Sequence, residues 1–296
     1  MKTSTNIEEV VKNSKHVRIN VNILERFAYD LSKTDVCHWM EKCPIDLNGL
    51  TKEQKVSFLF VFNAISFSYW GTPKWSSGYD RGTWSMINSL KTAFDKGVSI
   101  LDPKYLSNLS QKDLREILIG NTEIPLFQER LNILKNLGRT ISSYTNFVEE
   151  MENDALKFVD QLVSTVPSFE DYSYYGNQKI TFNKRAQLLA SDLGHLLGFT
   201  NLDKLTACAD YILPMVLRYN GALVYSEELS EIVDNKIEVP KGSDFEVEIR
   251  ANTIGAVGLI SEISDASDMQ VNDMLWLAGE IVPESHQYHL TRTIAY

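Results

Sequence analysis

Residues 182–223 read FNKRAQLLASDLGHLLGFTNLDKLTACADYILPMVLRYNGAL. Apolar residues recur at helical spacing on both sides of Gly198-Phe199-Thr200-Asn201, so the stretch predicts two helices joined by a short turn. Polar and ionisable groups stand where a plain hairpin has no need of them. Lys184, Arg185 and Gln187 open the first helix, and Asp210 falls inside the second, four residues before Pro214. Proline has no N–H for the carbonyl four residues back, so a kink is expected at Asp210. A carboxylate at a kink is either a solvated charge on a bent core helix or a place for chemistry. Asp192 lies beside the apolar stripe Leu189, Leu193 and Leu196, and is expected as a buried partner of Arg185 or Arg218.

Working outward, helical periods dominate. Residues 7–11, 21–31, 52–70 and 79–97 read as helices, the last capped by Gly97. SQKD from Ser110 and the Ser243…Glu246 pair are helix-start signals. Pro125 is expected in the first turn of the helix PLFQERLNILKNLGRTI. Residues 142–165 predict one or two further helices and 272–280 a short one. YSYYGNQKITF at 172–182 is the clearest hairpin, turning at Gly176-Asn177. The expected fold is a mainly α, compact multi-helix domain over residues 1–296 with one small β element. No repeat, low-complexity tract or long linker interrupts it.

Composition narrows the function classes. The 44% hydrophobic and 23% charged content is that of an ordinary globular protein. A formal charge of −10 opposes non-specific binding to duplexes or anionic membranes, which needs clustered Lys and Arg. MKTSTNIEEVVKNSKHV lacks the apolar core of a signal peptide, and the run at 58–62 is too short to span a bilayer. Cys37, Cys43 and Cys208 have no C-x-x-C spacing and fit reduced thiols in the cytosol. A cytoplasmic protein without membrane attachment is expected. G-x-S-x-G, P-loop, H-E-x-x-H and dinucleotide-binding patterns are absent. His286 and His289 have too few carboxylates nearby for a metal site, so neither metal nor cofactor is expected. The aromatic group Phe67, Tyr69, Trp70, Trp75, Tyr79 and Trp84 reads either as core with a Trp-rich turn or as a stacking wall for a flat ligand.

The order of several motifs resembles the queuosine salvage proteins, nucleotide N-glycosidases that release the base queuine. These motifs are FSYW at 67–70, GYDRGTWS at 78–85, PLFQERLNIL at 125–134, SFEDYSYY at 168–175 and FNKRAQLLASD at 182–192. ACADYILPMVL follows at 207–217, GALVYSEEL at 221–229, EVEIRANTI at 246–254, LW at 275–276 and YHLTRTIAY at 288–296. The resemblance implies a fold like that of helix-hairpin-helix DNA glycosylases, with the Lys184–Asp210 pair at the active centre. It implies hydrolysis of queuosine 5′-monophosphate to queuine and ribose 5-phosphate. Breaking an N-glycosidic bond builds positive charge at C1′, and Asp210 is the position implied to stabilise or attack that oxocarbenium-like state, with Lys184 beside it. The base is a 7-deazapurine, so protonation at N7 is closed and recognition of the leaving base becomes part of catalysis. Cys208, Asp210, Asn272 and Asp273 are implied around the base. Lys184, Arg185, His289 and Arg292 are the cations expected for the phosphate.

The chain departs from the family pattern at Cys43, Cys208, Asn272 and Leu277, where His, Phe, Asp and a polar or acidic residue are common. A related deazaguanine nucleotide therefore stays open as substrate. Asn272→Asp is expected to preserve or improve base affinity, because asparagine lacks a charged bidentate edge. The expected partner is a small molecule, with no nucleic acid. Two other readings are a helix-hairpin-helix DNA repair glycosylase and a non-catalytic helical binding protein. The first is opposed by the missing glycine-rich hairpin and the acidic charge, and the second predicts no thermal shift with any nucleotide.

Overall fold

The computed structural model describes residues 5–296. Helix α1 (Thr5–Asn13), strand β1 (Val17–Ile19) and helix α2 (Val21–Leu31) lead to α3 (Lys52–Ala64) and α4 (Gly82–Asp95). Next come α5 (Pro103–Ser107), α6 (Gln111–Ile117), α7 (Phe127–Thr140), α8 (Tyr144–Glu149) and α9 (Ala155–Thr165). Strands β2 (Tyr172–Tyr175) and β3 (Gln178–Thr181) run directly into α10 (Lys184–Leu197). The chain then forms α11 (Ile212–Tyr219), β4 (Leu223–Tyr225), α12 (Glu227–Asp234), α13 (Asp244–Ser264) and α14 (Asp268–Ala278). The start signals read from sequence work as expected. Ser110 and Asp113 close a capping box on α6, and the Ser243 hydroxyl accepts from the Glu246 N–H on α13.

Two apolar clusters divide the interior. One gathers around α3 and α10, which pack on each other, with α4, α7, α8 and α9 contributing. The other surrounds α13, whose residues 246–258 are all buried, its ionisable Glu246, Glu248 and Arg250 included. Helices α1, α2 and α14 and strand β1 cover α13. Trp276 on α14 packs against both clusters and marks their seam.

Several expectations need correction. The helix read as 52–70 stops at Ala64, because two buried arginines take the carbonyls beyond it. Arg185 donates to Asn63 O (3.4 Å) and Ala64 O, and Arg130 donates to Ile65 O, Phe67 O (2.5 Å) and Ser68 O (3.2 Å). These cations satisfy a helix C-terminus and hold residues 65–70 outside the helix. Pro125 precedes α7, which begins at Phe127 behind left-handed Leu126 (φ 53°). The segment 182–223 does hold two helices, but residues 198–211 join them through a 3-10 turn at Leu202–Lys204, so the joint is not a short turn. Asp210 is not inside a helix. It lies just ahead of α11, and its Oδ1 accepts from the N–H groups of Ile212 (2.8 Å) and Leu213 (3.1 Å). Pro214 therefore sits in the first turn, where its missing N–H is harmless, and no kink arises. The β2–β3 hairpin is as expected, with Tyr175 opposite Gln178. A second two-stranded sheet pairs β1 with β4 antiparallel, Val17 against Tyr225. Three-residue strands leave too little period to be read from sequence.

Candidate functional site

At the seam lies an open cavity. Helices α4, α10, α11 and α14, the irregular 65–70 segment and the Trp39–Lys42 turn all contribute to its lining. The walls are aromatic: Trp39, Phe67, Tyr69, Tyr211, Trp276, Tyr288 and Tyr296. Trp39 and Trp276 meet edge to face at 5.5 Å, and Trp84 braces both from behind at 5.6 and 5.3 Å. Of the aromatic group read from sequence, Phe67 and Tyr69 face the cavity, whereas Trp75 is fully buried core. Such walls suit the flat face of a base.

Asp210, Lys184, Cys208, Asn272 and Asp273 all line this one cavity. Lys184 and Asp210 are 26 residues apart in sequence, and Asp210 and Asn272 are 62 apart, so the fold makes the site. Lys184 is the first residue of α10. Its backbone N–H is taken by Asp171 Oδ2 (3.1 Å), which leaves the buried side chain at the cavity. Burial pushes the Asp210 carboxyl above its ordinary range. The Lys184 charge, the Leu213 and Ile212 N–H groups and the Arg81 charge pull it back. Burial likewise pushes the Cys208 thiol far up, so it stays protonated and is no nucleophile.

Asn272 and Asp273 form a bonded floor. Asn272 Oδ1 accepts from Cys208 N–H (2.9 Å), so its Nδ2 faces Asp273 Oδ1 at 3.1 Å. Asp273 Oδ2 accepts from Trp39 N–H (3.3 Å). Behind the floor, Asp192 Oδ1 accepts from Trp39 Nε1 (2.8 Å) and Oδ2 accepts from Asn63 Nδ2 (2.8 Å). The expected pairing of Asp192 with Arg185 or Arg218 is thus wrong: Arg185 is taken by backbone carbonyls and Arg218 binds Asp234 (2.7 Å). His38 Nε2 stands 3.4 Å from Asp192 and 4.0 Å from Asp273. Burial pushes both acids up to about 7. Burial, with the neighbouring His195 second, pushes His38 down to about 3. All three shifts share one main cause, the cost of an unhydrated charge, which favours a proton on a carboxyl of the cluster over one on the imidazole.

Three expected phosphate ligands lie elsewhere. Arg185 is fully buried with its guanidinium on the carbonyls of Asn63, Ala64 and Ser168. His289 is buried with Nε2 3.2 Å from Tyr296 Oη. Arg292 is exposed, paired to Glu238 at 2.8 Å and stacked 4.9 Å from the Trp70 ring. The cavity instead carries Lys74 and Arg81, which the sequence reading did not single out. Arg81 stood in the quoted GYDRGTWS motif, and that was the available signal. Cys43 does not line the cavity, and among the described residues no group of three or more His, Cys, Asp or Glu is placed to hold a metal ion. No described helix is long and apolar enough to cross a membrane.

Comparison with known proteins identifies the family. The family model described as Queuosine salvage protein matches residues 47–296. A Sphaerobacter thermophilus protein named Queuosine 5′-phosphate N-glycosylase/hydrolase is 36% identical, covering 83% of this chain and 82% of its own. Proteins of the same name from Bos taurus and Dictyostelium discoideum are 32% and 27% identical, covering 72% and 96% of this chain and 68% and 95% of their own. Segments that carry the family motifs converge on one cavity, and the family match spans most of the sequence: the chain belongs to the queuosine salvage protein family.

Proposed function

We propose that the protein hydrolyses the N-glycosidic bond of queuosine 5′-monophosphate, giving queuine and ribose 5-phosphate. One observation carries the reading: a buried carboxylate, Asp210, faces an aromatic cavity whose floor holds Asn272 and Asp273 and whose side holds Lys184. The names of the relatives supply the substrate. The base lies between the aromatic walls with its polar edge on Asn272 and Asp273, which sets C1′ beside Asp210. The C1′–N bond breaks with its electron pair on the base. Asp210 meets the cationic C1′ either as a charge or as a covalent partner. Water then adds at C1′ and gives up a proton, while the base gains one. N7 is replaced by carbon, so that proton must arrive elsewhere on the ring. Asp273, whose carboxyl burial raises to about 7 and which lines the cavity, is the candidate donor.

Asp210 must be ionised to act, and Lys184 and Arg81 favour its charged form. The substrate is a free nucleotide, since a charge of −10 repels polynucleotide backbones. A cytosolic setting fits the three free thiols. The test is to incubate the protein with queuosine 5′-monophosphate and assay free queuine by mass spectrometry. Release above the buffer control is expected, and its absence rejects the reading.

A further inference from the structure

The reaction at C1′ leaves one buried acid beside the cavity without a task. Asp192 does not line the cavity, so it does not touch substrate. Resting on the proposed role of Asp273 as proton donor, we infer that Asp192 is a positioning residue: its fixed carboxylate keeps the leaving-group proton on Asp273. The hydrogen bonds around the two acids carry the assignment.

One dipeptide, His38-Trp39, holds both acids. Trp39 donates from Nε1 to Asp192 Oδ1 (2.8 Å) and from its backbone N–H to Asp273 Oδ2 (3.3 Å). His38 Nδ1 accepts from the Met40 N–H (3.3 Å), so the imidazole proton sits on Nε2. That nitrogen faces Asp192 at 3.4 Å and Asp273 at 4.0 Å, shielded from water and without an aligned bond. A neutral donor between two carboxyls supports a charge on one of them. Two unhydrated carboxylates this close repel each other, so the pair holds one proton in common.

The donors decide which acid takes it. Asp192 has a short N–H bond on each oxygen, from Trp39 Nε1 and from Asn63 Nδ2, both 2.8 Å. The Lys184 charge also favours its ionised form. Asp273 has longer bonds, 3.1 Å from Asn272 Nδ2 and 3.3 Å from the Trp39 N–H, and Glu41 opposes its ionisation. Hydrogen bonds and cations stabilise the charged form, so the charge settles on Asp192 and the proton on Asp273. The remaining titratable groups around the pair are His195, stacked 4.2 Å from His38 and 3.7 Å from Glu41, and the Cys208 thiol, which both acids help to keep protonated. In the step itself the Asp273 O–H bond breaks and its proton joins the departing base. The carboxylate left beside Asp192 regains a proton from cavity water once the base has gone.

The test is the alkaline limb of kcat/KM against pH in wild type and Asp192→Asn. The variant keeps an oxygen for Trp39 Nε1, and Asn63, whose buried Oδ1 has no partner, can turn its amide to accept from the new Nδ2. Without the Asp192 charge, Asp273 ionises at lower pH, so the limb should move down by about one pH unit. A merely structural Asp192 would change stability and leave the limb in place. That result, or a limb that moves up, overturns the inference. Neutron diffraction on the wild-type protein at about pD 6 reads the pair with neither turnover nor a variant. A deuteron on Asp273 and none on Asp192 supports the inference even if no queuine is released, and any other pattern rejects it. Queuine release together with a deuteron on Asp192 leaves the hydrolysis standing and removes only the positioning role.

Discussion

Two sets of buried acids share this interior and are treated in opposite ways. Behind the cavity wall, Asp171 receives Arg250 through two donors at 2.9 and 2.5 Å, and also the Lys184 N–H. Burial opposes its ionisation, yet Arg250 holds its carboxyl below the ordinary range. Glu248 accepts from the N–H groups of Lys15, His16 and Val17 and from Tyr175 Oη. Glu246 sits 3.6 Å from Arg250 and accepts from Tyr296 Oη at 3.1 Å. At the cavity, Asp210 has only the two N–H groups of its own turn, and Asp192 and Asp273 have N–H donors and a neutral imidazole. The same acid residue is a clamp where a guanidinium is aimed at it. Where the nearest cations stand off, it remains held for a task.

That contrast predicts opposite costs for one substitution. Asp171→Asn leaves Arg250 buried beside a neutral amide and should cost about 3–5 kcal/mol of stability by urea unfolding. Asp210→Asn keeps an Oδ1 that accepts the same two N–H groups, so its melting point should stay at or above wild type. Its turnover should fall by about 10²–10³. If the two variants lose equal stability, the two sets of acids are not different in kind. If Asp210→Asn turns over at the wild-type rate, Asp210 is not the catalytic carboxylate.

A smaller effect sharpens the cavity side. Asp210 is raised by burial and drawn back by Lys184. Its carboxylate is therefore lost, as pH falls, at a higher pH than for an ordinary aspartate. Lys184→Met removes a cation that favours the charged form and should move the acid limb of kcat/KM further up, by about one pH unit. A limb that stays put would detach Lys184 from Asp210.

The smallest expected change concerns Asn272. Sequence alone favoured Asn272→Asp for base affinity, but its Nδ2 faces Asp273 Oδ1 at 3.1 Å. A second carboxylate there must share a proton with the first. Its folded pKa would lie above its unfolded one, so the pair's stabilising contribution is complete at low pH and is lost as pH rises through the raised value. Thermal melts of Asn272→Asp should match wild type near pH 5 and fall below it by a few degrees at pH 8. Coincident curves would show that the amide does not separate two acids.

Much of this was legible in the sequence. Helical periods and capping boxes located most helices, because those signals are local. Motif order placed Asp210, Lys184, Cys208, Asn272 and Asp273 together. What failed had non-local causes. Nothing within residues 52–70 reveals that Arg130 and Arg185 take the carbonyls that end α3. The same blindness made Arg185 look like a free cation. Arg81 and Lys74 were passed over because a basic residue in a polar turn looks solvated until the fold closes around it.

Trp39 and Tyr296 line one cavity, and the Ser68 N–H donates to the Tyr296 carbonyl at 2.9 Å. In translation the first wall of the site is thus made 257 residues before the last one. At roughly 5–20 residues per second, a nascent chain spends tens of seconds with α3 and the aromatic 65–70 segment lacking their cover. During that interval Phe67 and Trp70 are open to chaperones, and the pocket cannot bind a nucleotide. Ligand binding can therefore stabilise only chains that have reached Tyr296, and substrate supplied before that point should not speed folding.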